Sequence, residues 1–240
     1  MNSINIWKDI KTETIKEDFE NAYTNYLADV FENSPNFNLV QKNFDYAVDY
    51  KTIIVEYDTS KNLIGYKRLV SYPYTTQQFE VGDYIHWIYG AVSTSWLMFA
   101  IDKQFNYNLN GKIKKCNSTL KWRDSHNNII SYPCVIDDKI NNSDFDYARG
   151  LIVPSGGIIV HVQTNSDTEV LYLNQRFIFG QNVYKLNSQI DFSSPYLMTL
   201  IMTKDNESPD VMDDFSNGIA NNNKYNYVLN INQNNFTQNV

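Results

Sequence analysis

The sequence predicts a mainly β protein: an antiparallel β-barrel or sandwich with an N-terminal amphipathic helix and an extended C-terminal arm. Three observations predict it. Apolar runs of strand length recur between residues 50 and 203, divided by clusters of Gly, Pro, Asn, Asp and Ser. Eighteen Tyr and thirteen Phe supply rings that favour pleated, half-wet surfaces. A single stretch, 14–31, has apolar residues at spacings of three and four. The resulting division is a helical segment at 1–36, a β-rich core at 37–204 and an acidic, Asn-rich linker and arm at 205–240.

The helix rests on Ile15, Phe19, Tyr23, Tyr26, Leu27, Val30 and Phe31, with acidic and amide side chains between them. Thr14 and Glu17 have the spacing of a capping box, in which each side chain satisfies an orphan amide at the other end. Asn33-Ser34-Pro35 stops the helix, because proline disfavours a helical residue before it.

Period-two runs then predict strands at 50–57, 65–71, 83–89, 96–101, 112–122, 129–136, 157–163, 176–179, 183–186 and 197–203. Turns are expected at 58–62, 81–83, 110–111, 154–157, 180–182 and 193–195. Asn110-Gly111 is the strongest turn dipeptide, since both residues tolerate positive φ. Val81-Gly82-Asp83 reads as a bend that lets a strand turn a barrel corner. Residues 205–223 are acidic and poorly patterned, which predicts a linker or extended arm. Beyond them, Tyr225, Tyr227, Leu229 and Ile231 alternate, a pattern suited to adding a strand to this fold or to another subunit.

Acidic residues outnumber basic ones by 27 to 20, for a net charge of −7. A protein that grips nucleic acid by its phosphates normally carries the opposite balance. The best local basic set is Lys112, Lys114, Lys115, Lys121 and Arg123, whose alternation suits a solvated strand face. No stretch approaches the roughly 20 apolar residues of a membrane helix.

Chemistry-bearing groups are scattered. His86, His126 and His161 lack metal-ligand spacing to one another or to cysteine, so structural roles are expected. Asp137, Asp138, Asn141, Asn142, Asp144 and Asp146 form an oxygen-rich loop without the EF-hand spacing, which reads as an ordinary solvated loop. There is no nucleophile elbow, P-loop or dinucleotide fingerprint. Ser155-Gly156-Gly157 reads as a turn. No catalytic residue, metal ligand or cofactor is therefore assigned, and the chain is expected not to be an enzyme. Paired carboxylates on a sugar-binding β-sandwich remain an alternative, because two acids can meet from distant strands.

The two cysteines flank a hairpin. A turn closing over 124–126 would set Cys116 opposite Cys134, within disulfide reach as a structural thiol pair. The opening residues lack the cationic and apolar regions of a signal peptide, which favours synthesis in a reducing cytoplasm with both thiols buried or free.

Taken together, these residues resemble the neck proteins of tailed phages that infect low-GC Gram-positive bacteria. The likeness is carried by the break at Asn33-Ser34-Pro35, the run from Val81 to Trp87 and the pair Trp96-Leu97. It continues with the run from Cys116 to Trp122, Tyr132-Pro133-Cys134 and Arg176-Phe177-Ile178, and it spans roughly residues 15–220. The resemblance implies a structural virion protein at the head–tail junction, of the head-closure or collar type, built as a small β-barrel with added helices. Its partners would be a portal or adaptor ring above, a tail protein below, copies of itself and DNA passing without sequence readout, with no membrane. A tail adaptor or a carbohydrate-binding module are the alternatives. Phe19, Tyr23, Tyr26, Tyr225, Tyr227 and Phe236 are the candidate subunit contacts, because ring proteins clasp neighbours through helices and arms.

Overall fold

The computed structural model describes residues 29–56, 65–71, 79–89, 91–104, 108–137, 156–190, 196–205 and 210–222, with positions 18, 22, 25 and 26 of the N-terminal helix. Among them the fold is mainly β and antiparallel, in two successive barrel-like sheets. The first is a closed barrel of six strands: β1 (Phe37–Lys42), β2 (Asp45–Glu56), β3 (Tyr66–Ser71), β4 (Tyr84–Tyr89), β5 (Val92–Gln104) and β6 (Asn108–Lys115), in the order β1-β2-β3-β6-β5-β4. The second contains β7 (Ser118–Arg123), β8 (Ile129–Asp137), β9 (Gly157–Gln163), β10 (Arg176–Phe179), β11 (Asn182–Ile190) and β12 (Leu197–Lys204), in the order β10-β11-β12-β9-β8-β7. No helix among the described residues is long and apolar enough to cross a membrane.

Each sheet has its own core. Val40, Ile54, Leu69, Ile85, Met98 and Ile113 fill the barrel. Leu120, Trp122, Val160, Phe177, Leu186 and Leu200 fill the inner face of the second sheet. Burying each such side chain contributes about 1.5–3 kcal/mol.

The helix ends against the barrel at residues 29–32. Phe31 is buried and meets the Phe37 ring edge-on at 6.2 Å. Asn33 closes the last turn, donating its backbone N–H to the Asp29 carbonyl at 3.1 Å and its side-chain amide to the same oxygen at 2.9 Å. The proposed capping box at Thr14 and Glu17 lies outside the described residues.

The strands at 157–163 and 176–179 have the expected bounds. Three features differ. Strand β1 and the first half of β2 precede the expected strands: β1 has a single buried residue, Val40, and residues 45–49 of β2 are exposed on both faces. Asn110-Gly111 lies inside β6, not in a turn. Gly111 faces Leu69 on one side and Ile101 on the other, and a Cβ there would stand 2.6 Å from Met98 Sδ. The glycine thus serves packing: it leaves room for a core methionine beside the bulge between Met98 and Ala100.

The expected single strand at 112–122 is two strands, because the chain changes sheets at Cys116 and Asn117. The Cys116 N–H still donates to Ser95 of the barrel at 2.9 Å, and the Asn117 N–H already donates to Cys134 of the second sheet at 3.1 Å. The Asn117 amide then imitates a backbone neighbour. Its Oδ1 accepts from Ile136 N at 2.7 Å, and its Nδ2 donates to Ile136 O at 2.8 Å.

The two sheets are locked by a mixed junction. Tyr84 is fully buried and donates its hydroxyl to the Pro133 carbonyl at 2.6 Å. Its ring stacks on Tyr132 at 6.5 Å, within a cluster that includes Leu97, Val135 and Leu197. Asn43 lies at the tip of the β1–β2 hairpin with φ 50°, and its Oδ1 accepts from both Tyr84 N and Gln163 Nε2 at 2.9 Å. Lys114 of the barrel pairs with Asp137 of the second sheet at 2.7 Å. The bend at Gly82 is as expected and also serves this junction: φ is +91°, and a Cβ would stand 1.8 Å from the Tyr196 carbonyl oxygen.

Candidate functional site

The second sheet does not close into a barrel. β7 and β10 are its two ends; they approach each other, but among the described residues no ladder joins them. A cleft of about 1060 Å³ opens at this seam. Three walls define it: the β7–β8 turn, the loop before β10 and residues 210–222.

The turn wall is built by Asp124. One carboxylate oxygen accepts from His126 N at 2.8 Å and Asn128 N at 2.7 Å, and the other accepts from Asn128 Nδ2 at 3.0 Å. The side-chain bond from Asn128 leads the causes that hold this exposed carboxyl below its usual range. Asn127 takes positive φ, as the Asn-rich sequence allows. Arg123 donates to the Asn127 carbonyl at 3.1 Å.

The second wall follows β9. Thr168 is fully buried and donates to the Gln163 carbonyl at 2.8 Å, which folds the loop back and sends Leu171 into the core. Val170 stays 68% exposed on the cleft rim. Gln175 Oε1 accepts from Tyr172 N at 3.1 Å and fixes the approach to β10.

The third wall comes from the acidic stretch expected as a linker or extended arm, of which residues 210–222 are fastened to β10. Arg176 is the anchor, with its side chain 4% exposed. Its Nε donates to Asp205 at 2.7 Å, and its two terminal nitrogens donate to both oxygens of Asp213 at 2.8 Å. Lys185 reaches the other oxygen of Asp205 at 3.0 Å. Burial opposes the guanidinium charge, but the bonds from Asp213 and Asp205 outweigh it and raise Arg176 above its ordinary range. Asn222 completes the attachment: its side-chain amide accepts from Arg176 N at 2.7 Å and donates to Arg176 O at 3.1 Å. On the other side of the seam, Lys121 of β7 donates to the Asn217 carbonyl at 3.2 Å.

The residues singled out from sequence lie elsewhere. Tyr26 is 63% exposed on the helix. Phe19, Tyr23, Tyr225, Tyr227 and Phe236 lie outside the described residues. Cys116 and Cys134 are free thiols at the junction of the sheets. The hairpin pairs residues summing to 252, so Cys134 faces Ser118 and not Cys116. The reason is the five-residue turn over 124–128, centred on His126 rather than Ser125. Burial pushes the Cys116 thiol up to about 12 and raises Cys134 as well, so neither is a thiolate at neutral pH.

Four of the five basic residues are engaged by the fold, and Lys115 is exposed. Lys112 and Lys114 stand 3.8 and 4.6 Å over the Tyr66 ring, and Lys114, Lys121 and Arg123 hold the partners given above. His86 is buried on β4, His161 bonds Thr199 at 3.1 Å on β9, and His126 occupies the exposed turn. Of the oxygen-rich loop only Asp137 is described, and no group of three potential metal ligands occurs among the described residues. Sequence reasoning missed Arg176 and its two aspartates. The available signal was an arginine inside the apolar run Arg-Phe-Ile-Phe, which demands an acidic partner.

Residues 118–208 match the family model described as the YomX C-terminal domain, a phage-associated family name. No curated protein and no solved structure matches the chain. The matched stretch begins at the first residue of β7 and ends just beyond β12, so over the strands of the second sheet this chain is similar to that phage-associated domain, while residues 210–222 lie outside the match.

Proposed function

We propose that this chain is a structural virion protein of a tailed phage, one tile of a ring at the neck that joins portal to tail and lines or closes the DNA channel. The observation that carries the reading is the similarity to a phage-associated domain across the whole second sheet. Two features of the molecule support it. The junction through Tyr84, Asn43 and Lys114 ties both sheets together with directional contacts around the buried Tyr84 ring, as a part that transmits load between neighbours requires. The barrel also carries large apolar side chains outside: Leu39, Tyr46, Ile88 and Val92 are 48, 64, 54 and 61% exposed. The β1–β4 register sets Leu39 beside Ile88, one step from the Val40–Trp87 pair. Adjacent exposed apolar residues of this kind are what subunit contacts bury.

On this reading the chain works without turnover, and its net charge of −7 keeps DNA phosphates from adhering to the channel. The test is to locate the chain in intact particles by electron microscopy and to ask whether it co-purifies with portal rings. A ring of density at the head–tail junction that fits both sheets is expected. Absence from the particle, together with saturable glycan binding by the purified chain, would overturn the reading in favour of a carbohydrate-binding module.

A further inference from the structure

The chain contains two Asn-Gly dipeptides, Asn110-Gly111 and Asn217-Gly218, and the fold treats them oppositely. Asn-Gly is the pair most prone to lose its side-chain amide, because no Cβ shields the glycine nitrogen that attacks the asparagine Cγ. The first pair is locked. It lies inside β6 with a strand on each side: Asn110 stands opposite Val70 and Asp102, and Gly111 opposite Leu69 and Ile101. Arg68 also holds Asn110 Oδ1, through Nε at 3.0 Å and a terminal nitrogen at 2.6 Å.

The second pair lies in the bend of the third wall. Asp214 and Ile219 exchange both backbone hydrogen bonds at 2.9 Å and close a turn over the residues between them. Asn217 is exposed there. Gly218 has φ +70°, and among the described residues the one atom within 4 Å of a Cβ built on it is Lys121 Cδ, at 3.9 Å. The glycine nitrogen is therefore uncrowded. Lys121 of β7 also supplies activation: its ammonium donates to the Asn217 carbonyl oxygen at 3.2 Å. That oxygen and the Gly218 nitrogen belong to one conjugated peptide group. A positive charge on the oxygen stabilises the peptide anion, whose nitrogen is the nucleophile. The Asn217 side-chain amide is tied to Asp214 Oδ2 at 2.7 Å, but on the exposed surface, where water can take its place as the side chain turns.

We propose that Asn217 is a site of self-modification, activated by Lys121 from across the seam. The Gly218 nitrogen gives its proton to hydroxide and bonds to Asn217 Cγ. The Cγ–Nδ2 bond breaks, and Nδ2 leaves as ammonia after taking a proton from water. A second water opens the cyclic imide to aspartate or isoaspartate. An amide that donated to Asp214 thus becomes a carboxylate beside it, and the two like charges repel. The Asp214–Ile219 bridge loosens, and with it the third wall of the cleft. This inference stands independently of the virion reading.

Peptide mapping by mass spectrometry tests it on the whole chain, incubated at mildly alkaline pH both folded and in urea. In the folded chain Asn217 is expected to convert at least about tenfold faster than Asn110, which reacts only when β6 opens. In urea the two should convert at comparable rates, because the contrast belongs to the fold. Lys121→Met is expected to slow Asn217 several-fold in the folded chain and to change nothing in urea, where the ammonium is no longer held at the Asn217 carbonyl; Lys121→Arg, which keeps the charge, should retain the folded rate. Asn217→Asp, which reproduces the aspartate product, is expected to exchange the Ile219 amide about tenfold faster than the native chain. The proposal is overturned if Asn217 stays intact in the folded chain while the unfolded chain converts, or if Lys121→Met leaves the folded rate unchanged. An unchanged Ile219 amide in Asn217→Asp overturns the loosening of the wall.

Discussion

Arg176 and Asp213 form a two-pronged pair in which both guanidinium terminal nitrogens meet both carboxylate oxygens at 2.8 Å, with the aspartate side chain fully buried. The pair joins β10 to a segment 37 residues later in the chain, and so determines whether residues 210–222 belong to the sheet at all. A buried pair is most informative when one member is removed, because the other is then left charged and without compensation. Arg176→Met should cost about 3–5 kcal/mol, since it leaves the buried Asp213 carboxylate without its cation and Asp205 with Lys185 alone. It should also release residues 210–222 to proteolysis near the exposed Val211 and Met212. Urea unfolding measures the first effect and limited proteolysis the second. An unchanged cleavage pattern would show that the clasp is held by other contacts.

Much of the fold was legible in the sequence because buried strands appear as short apolar runs. Strands β9 and β10 sit in the interior, and their bounds follow directly from apolar runs. What was not legible has a common cause: contacts between residues distant in sequence. Asn110-Gly111 has the local chemistry of a turn, but Met98, thirteen positions before Gly111, fills the space its missing side chain leaves. Cys116-Asn117 looks like strand interior, and only the positions of Ser95 and Cys134 reveal that the chain there passes from one sheet to another. The acidic run after residue 205 looks solvated until Arg176 and Lys185 are placed beside it. The candidate cleft was illegible for the same reason, since its three walls come from residues near 124, 172 and 220.

The two close-packed glycines should respond differently to the same added methyl group. At Gly111 the nearest atoms are the far end of Met98, with Sδ at 2.6 Å and Cε at 2.7 Å, which can rotate away. Gly111→Ala should therefore cost about 1–3 kcal/mol, the usual range for overpacking. Adding Met98→Val should recover part of that loss. At Gly82 the obstacle is the Tyr196 carbonyl, and φ is +91°, a conformation L side chains rarely adopt. Gly82→Ala should cost more than Gly111→Ala, and no single side-chain truncation should rescue it. Thermal unfolding of the three variants decides the matter. Equal losses at both glycines would contradict the packing described here.

Acid should weaken the fold in two separate steps, set by two groups that titrate in different acid ranges. His86 is 4% exposed, bonds Ser95 through Nδ1 at 3.1 Å and has no partner for Nε2 among the described residues. Burial lowers its pKa from the ordinary 6.5. The unfolded chain therefore takes up this proton first as pH falls. Stability is unaffected by His86 well above pH 6.5 and declines below it, until the folded form is protonated too. Asp137 acts in the same sense at lower pH, for a different reason. Burial alone would raise its carboxyl, but the bonds from His161 and Lys114 and the Lys114 charge hold it below the ordinary 3.8. Its contribution is complete above pH 3.8 and is lost as pH falls through the lower, folded value. Urea midpoints measured across this range should show a first decline starting near pH 6.5 and a second below pH 3.8. His86→Gln should flatten the first decline and leave the second, while Asp137→Asn should lower stability at neutral pH and flatten the second. The assignment of the first step to His86 fails if the native chain and His86→Gln lose stability in parallel between pH 6.5 and 4.5.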